Sequence, residues 1–433
     1  MNGAGGPQRA EYSGFPFNVN GLTRPWPARA ALSNPAAEGA PAAFRPTLGA
    51  MRVVGLMSGT SADGIDAALV EWPDGAEAVP FELLAYRETP HPAALQAAIH
   101  RLAALDVPAE AVLAEQVRLD AVLGDAFATA ARGLLDEAGI PLESVDAIAS
   151  HGQTIAHHPE HGGTLQIGCP DRIADALERP VVADFRRRDM ANGGEGAPLA
   201  PFFHHAVFAD PDEPRGVLNL GGIANLTWLP AGAAPDDVIA YDIGPANSLT
   251  DGVVSLATDG AERFDRDGER AARGSVRRDW LDEMLADPYL HRSPPKSTGR
   301  EHYGAAAAAA WWDRAAREDV PLEDLLATLV AGSVEPIASA WRARAGGVEG
   351  GRLLVGGGGA RNAFVMAELD RLLPDVRVEP MDALGVPSDA AEAMAFSLMG
   401  RNTLLGIPNQ LARVTGVDRA RVLGVIHGRE WLR

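Results

Sequence analysis

From Met51 onward, short apolar runs are separated by clusters of small polar residues, and the period switches between that of strands and that of helices. Residues 52–57 read as a buried strand. Residues 58–64 (Ser-Gly-Thr-Ser-Ala-Asp-Gly) carry turn chemistry, and the apolar run resumes over 65–72. A helical pattern follows over 92–138. Short strands are predicted at 145–149, 165–167 and 180–183, with His151-Gly152-Gln153-Thr154 directly after the first. The pattern then restarts: a strand over 216–220, a tight loop through Gly221-Gly222-Ile223-Ala224-Asn225, and a strand over 226–229. A strand, small-residue loop and strand thus occur twice. Either a duplicated domain or two unrelated hairpins would leave this trace. Helices are predicted at 270–287, 304–317, 321–344 and 389–404, with a strand at 352–355 and a helix start near Asn362. Alternating strands and helices give an α/β fold, and 433 residues suggest two or three domains.

Composition narrows the partners. The formal net charge is −20, from 58 acidic and 38 basic residues. That balance argues against nucleic acid or an anionic membrane as the main partner. Lys296 is the only lysine; the other basic residues are arginine. A single cysteine, Cys169, precludes an intrachain disulfide and fits a reducing compartment, read here as the cytoplasm. No apolar stretch has the length of a membrane span. Residues 1–50 are rich in Gly, Pro, Ala and Asn. They read as a disordered or variable extension rather than a signal peptide, with Met51 an alternative start of translation.

Several segments carry possible chemistry. Ser58 to Asp66 could bring backbone amides close to phosphate, with Asp63 holding a hydrated Mg²⁺, or could be a polar hairpin turn. It lacks the ending of a P-loop. Gly356–Gly359, after a strand and before a helix, suits a ligand lying against the backbone or a flexible loop. Asp242, at a strand end before Gly244-Pro245, could be a general base or bond its own turn. Asp184 to Asp189 concentrates arginines that could meet carboxylate or phosphate, or form a surface ion-pair cluster. Glu392 with Asp389 fits a variant capping box. His151, His157, His158 and His161 read as a surface loop rather than a metal site.

Taken together and in order, Gly55 to Asp66, His151 to Thr154, Asp184 to Arg186, Gly196 to Leu199, Asn219 to Asn225, Asp242 to Pro245, Pro295 to Arg300 and Gly356 to Asn362 resemble the anhydro-N-acetylmuramic acid kinase family. The resemblance implies two actin-like (RNase-H-like) domains with a nucleotide cleft between them: 51–200 joined by 386–433, and 201–385. It implies a kinase that uses ATP and Mg²⁺ to open the 1,6-anhydro ring of 1,6-anhydro-N-acetylmuramic acid with water and phosphorylate O6, in peptidoglycan recycling. It assigns catalysis to Asp242, assisted by Glu392. ATP contacts fall to Gly59, Thr60, Ser61, Ala62, Asp63, Gly64, Ile65, Asp66, Gly221, Gly222, Gly357, Gly358 and Asn362. Sugar contacts fall to Asp184, Arg186, Gly196 and Pro198, an arginine beside Asp184 meeting the lactyl carboxylate. A homodimer is implied as well.

The chain departs from the family pattern at Ala246, where Gly is usual, and at Glu195, where Gln is usual. A carboxylate near an anionic sugar keeps open an actin-fold kinase for a different sugar. A non-catalytic actin-like nucleotide-binding protein is the alternative of another class, against which Asp242 and the phosphate loop argue.

Overall fold

The computed structural model describes residues 49–432. The expectation for 1–50 therefore lies, except for Gly49 and Ala50, outside the described residues. β1 (Met51–Ser58), β2 (Gly64–Trp72) and β3 (Glu82–Pro90) form an antiparallel meander. β4 (Ala147–His158) runs parallel to β1 on its other side, and β5 (Gly163–Ile167) folds back on β4. β6 (Val181–Ala183) lies parallel beside β4. The second sheet repeats this plan. β7 (Arg215–Leu220), β8 (Ile223–Leu229) and β9 (Ile239–Pro245) form a meander, β10 (Arg352–Gly356) is parallel to β7, and β11 (Arg377–Pro380) is parallel to β10. β12 (Val425–His427) returns to the first sheet, antiparallel to β6. Both sheets thus share one five-strand order, β3-β2-β1-β4-β6 and β9-β8-β7-β10-β11, to which the first adds β12 beyond β6 and β5 beside β4. The repeat suggested by the two hairpins is real, and the fold is the actin-like, RNase-H-like α/β arrangement.

Packing fixes the helices that matter for the site. The helix Ala391–Leu405 is buried on nearly every side, as a helix lodged between other layers must be. It presses onto β1 so closely that a Cβ at Gly55 would overlap the Ala393 carbonyl oxygen. Any larger residue at 55 would lever the helix, and Glu392 in its first turn, off the sheet. The helix Val112–Ala138 buries Leu119, Leu123, Phe127 and Leu134 in the core with Leu56 and Leu69. In the second sheet, Trp341 of the helix Leu322–Ala345 meets Trp228 of β8 edge to face, with ring centroids 5.0 Å apart. Phe203 and Phe208, on the helix Ala200–Phe208, join a core shared by Met51, Val182, Val217 and Leu354, so one apolar cluster spans both sheets.

Some boundaries differ from expectation. The helical region 92–138 is two helices, Ala93–Ala103 and Val112–Ala138, broken around Pro108. The predicted helix 270–287 is a short turn at Ala271–Arg273 and a helix at Arg278–Leu285. His151 to Thr154 lies inside β4 rather than after it, because Gly152, at φ +76°, carries the strand through a local bend.

Candidate active site

The segment after β1 begins with a buried anchor. Ser58 Oγ lies 2.8 Å from Gly64 O and 2.7 Å from Gln153 Oε1. Gln153 Nε2 donates to Gly59 O at 3.0 Å. Ala62 N closes a turn on Gly59 O at 3.0 Å. Ala62 itself sits at φ +50° with its side chain buried, a conformation uncommon for alanine. Gly59 is partly exposed, and Thr60, Ser61 and Asp63 are exposed. The result is a tight, anchored loop with an open crest. Ile65 and Asp66 are already in β2, with Ile65 buried in the core. Asp66 accepts from Tyr86 OH at 2.7 Å. Burial pushes its pKa up to about 6; the Tyr86 hydrogen bond opposes this, and Glu88, Glu392 and Asp389 add to it.

On the same sheet, β6 delivers Asp184 and Arg186. Asp184 adopts φ +61° at the turn into the helix Phe185–Ala191. Arg186 points inward while Arg187 and Arg188 are exposed, so the arginine run is not one surface cluster. Arg186 Nε donates to His151 Nε2 at 2.7 Å, and its NH1 donates to Gly196 O at 2.8 Å. Nε2 of His151 must then be an acceptor, which fits Nδ1 lying 2.9 Å from Gly152 O as the donor. Burial, with Arg186 beside it, holds His151 well below the usual imidazole range. His151 is therefore a buried, neutral strut against Phe396, not part of a surface loop. Gly196 N donates to buried Asp189 at 2.7 Å, and Glu195 N to Thr415 O at 2.9 Å. The loop leading to Pro198 is thereby tied down at Glu195 and Gly196. The Glu195 side chain is exposed. Glu392 is reached by water although protein crowds it; burial pushes its pKa up and Arg186 opposes that. Asp389 does not cap the helix. No side chain caps it at Ala390, and Asp389 instead pairs with Arg361 at 2.8 Å.

The second sheet holds Asp242. It lies within β9, not at its end. Its Oδ2 accepts from Ser297 Oγ at 2.9 Å and from Thr298 N at 3.1 Å. The carboxylate is thus bonded to a loop 55 residues away, not to its own turn. Among the described residues, no hydrogen bond or ion pair joins Asp242 to Asp66, Arg186 or Glu392. Gly221 and Gly222 form the turn between β7 and β8. Their carbonyls accept from Asn247 N at 3.0 Å and from Ala246 N at 3.0 Å, which docks the turn onto the helix Asn247–Ala257. Ala246 has φ −123°, outside the left-handed region that would favour glycine. Gly357, after β10, has φ +75°, and a Cβ there would overlap Asn219 Oδ1. Gly358 is exposed and open. Asn362 Oδ1 caps the helix Ala363–Leu372 by accepting from Val365 N at 3.1 Å, which leaves its Nδ2 for a ligand. The cavity beside this turn is about 20 Å³, room for a water-sized group.

Sequence reasoning missed the work of Gln153, His151, Asp189, Ser297 and Thr298. The motifs that contain four of them were visible, but their contacts join distant segments. For a metal, no cluster of three His, Cys, Asp or Glu exists among the described residues. Asp63 gives one oxygen to Gln96 Nε2 at 2.8 Å and is otherwise open. One free carboxylate suits Mg²⁺, which keeps several waters and takes its other ligands from phosphate. Among the described residues, no helix is long and apolar enough to cross a membrane.

The family model for anhydro-N-acetylmuramic acid kinase matches residues 51–429. The anhydro-N-acetylmuramic acid kinase of Gloeobacter violaceus is 43% identical over 86% of this chain and 98% of its own length. That of Streptomyces coelicolor is 43% identical over 88% of this chain and 95% of its own. A solved ROK family glucokinase from Streptomyces griseus, in complex with glucose and AMPPNP, covers 81% of this chain and 99% of its own at 13% identity and TM-score 0.36, a likeness too loose to add to the sequence match. Full-length identity of this order, over a chain that keeps the duplicated sheet order and the motif carboxylate on β9, leaves one assignment: the chain belongs to the anhydro-N-acetylmuramic acid kinase family.

Proposed function

We propose that this protein phosphorylates 1,6-anhydro-N-acetylmuramic acid with ATP while opening its anhydro bridge, giving N-acetylmuramic acid 6-phosphate for cell-wall recycling. Family membership over 51–429 carries the reading. Asp242 is the base in this scheme. It takes a proton from a water that attacks C1, and the bond from C1 to the bridging oxygen breaks with oxocarbenium character. That oxygen becomes O6 and forms its new bond to the γ-phosphorus of ATP. ADP leaves, and Asp242 returns its proton to solvent. Phosphate capture of O6 makes a separate acid unnecessary.

The other roles follow the local geometry. The crest from Gly59 to Gly64 offers the exposed Thr60 and Ser61 to phosphate, with Ala62 closing the turn that holds them and Asp66 following in β2. Gly221, Gly222, Gly357, Gly358 and Asn362 border the nucleotide on the other sheet. Asp63 would hold Mg²⁺, which supplies charge neutralisation at the phosphates. Arg186 has its NH2 nitrogen free of protein acceptors among the described residues, so it suits the lactyl carboxylate beside Asp184, Gly196 and Pro198. Glu392, in the first turn of the helix Ala391–Leu405, assists by orienting water. We further propose two lobes, 51–200 with 386–433 and 201–385, a homodimer, and a cytoplasmic location.

A substrate panel tests this reading. ADP release should be fastest with the anhydro sugar and slow with glucose and with N-acetylmuramic acid. Faster release with either of the latter would assign the site to a different sugar.

A further inference from the structure

Lys296 is the single lysine of the chain, and it is buried. Its ammonium is met by carbonyls. Nζ donates to Ile243 O at 3.3 Å, Tyr289 O at 3.1 Å and Leu290 O at 3.2 Å. It also sits 4.5 Å from the centroid of the Tyr289 ring. Burying a cation is costly unless its donors are satisfied, and here three tetrahedral N–H donors meet three oxygens. A planar guanidinium fork cannot reproduce that pattern, which explains why a chain that otherwise uses arginine keeps a lysine here.

Both ends of Lys296 bind β9. Its side chain reaches Ile243, and its carbonyl accepts from Asp242 N at 3.3 Å. The next two residues then hold the Asp242 carboxylate, Ser297 through its hydroxyl and Thr298 through its amide, both on Oδ2. Tyr289, at the far end of the same segment, donates its hydroxyl to Asp242 O at 2.8 Å. Among the described residues, Oδ1 accepts no protein hydrogen bond.

We propose that Lys296 is a positioning residue: its three carbonyl bonds fix the segment from Tyr289 to Thr298 so that Ser297 and Thr298 hold one oxygen of Asp242 and leave the other as the sole proton acceptor. This rests on the reading of Asp242 as base. Without the clamp the carboxylate rotates, and its free oxygen spends less time facing water. The loss falls on kcat rather than on ATP binding. Removing the Ser297 hydroxyl removes one of the two bonds that hold Oδ2.

The test uses Lys296→Arg, Lys296→Met, Ser297→Ala and Ser297→Thr in the full chain, each checked for folding by thermal melt. Both lysine variants should lose about ten- to a hundredfold in kcat with the KM for ATP within about twofold of wild type. Ser297→Ala should lower kcat about tenfold with the KM for ATP unchanged, and Ser297→Thr should restore it. Wild-type kcat in Lys296→Arg or in Ser297→Ala overturns the positioning role. Should the lysine variants not fold, the Ser297 pair decides by the same criterion. Wild-type protein that does not turn over the anhydro sugar overturns the functional reading itself. Active wild type with equally active variants overturns only the clamp.

Discussion

Adjacent glycines after β10 should respond in opposite ways to alanine. Gly357 has φ +75°, and a Cβ there would overlap Asn219 Oδ1 and lie 2.9 Å from Leu220 O. The left-handed backbone costs alanine about 1 kcal/mol, and the overlap with backbone adds roughly 1–3, giving about 2–4 kcal/mol. At ~2.1 cal/mol/K of unfolding entropy per residue over the described core, that lowers the melting temperature by about 3–5 °C. Gly358 is exposed, is not left-handed, and a Cβ there would find only Asn247 Nδ2 at 3.9 Å. Gly358→Ala should therefore melt at or slightly above wild type. If the nucleotide lies against this turn, the new methyl meets ATP instead of protein, and the KM for ATP rises about tenfold through a lost close contact. The assay is a thermal melt of each variant without ligand, followed by initial rates against ATP at saturating sugar. A wild-type melt for Gly357→Ala would refute the packing argument. An unchanged KM for ATP in Gly358→Ala would refute the placement of the nucleotide.

Three further outcomes are expected. Asp242→Asn keeps an acceptor for Ser297 and Thr298 but no base, so kcat should fall by roughly 10²–10⁴ while ATP binding by calorimetry stays unchanged. Asp66 titrates near 6 in the fold against 3.8 unfolded. The native state therefore binds the extra proton between these values, and this contribution is complete below 3.8 and lost as pH rises through about 6. Denaturant melts should show Asp66→Asn gaining on wild type as pH goes from about 4 to 7, and parallel curves would contradict the assignment. Arg186→Lys cannot bond His151 and Gly196 together, so the KM for sugar should rise about tenfold in initial-rate measurements, with little change for ATP.

The duplicated hairpins were legible because each opens with an unbroken apolar strand and a cluster of turn residues. β3 was not, because Glu82–Pro90 carries only partly buried and exposed residues and so lacks the signature of a core strand. The break between the helices Ala93–Ala103 and Val112–Ala138 was hidden by apolar residues on both sides of it, including exposed Leu105 and Leu113. In the site, residue types and motif order pointed to Asp242 and to the loop at Gly59. What they could not reveal was partnership. Asp242 is held by residues 55 and 56 positions away, and Ser58 by Gln153 at 95. Asp389 shows the opposite failure: its spacing to Glu392 fits a cap, yet tertiary contact with Arg361 takes the carboxylate instead.

In the proposed reaction, one turnover adds both water and a phosphoryl group to the anhydro sugar. Mass spectrometry of the product formed by the full chain with Mg-ATP measures this directly. The expected result is a single product heavier than the substrate by one water and one phosphoryl group, with no gain of either without ATP. A product carrying phosphate on an intact anhydro ring, or no ATP-dependent product, would contradict it.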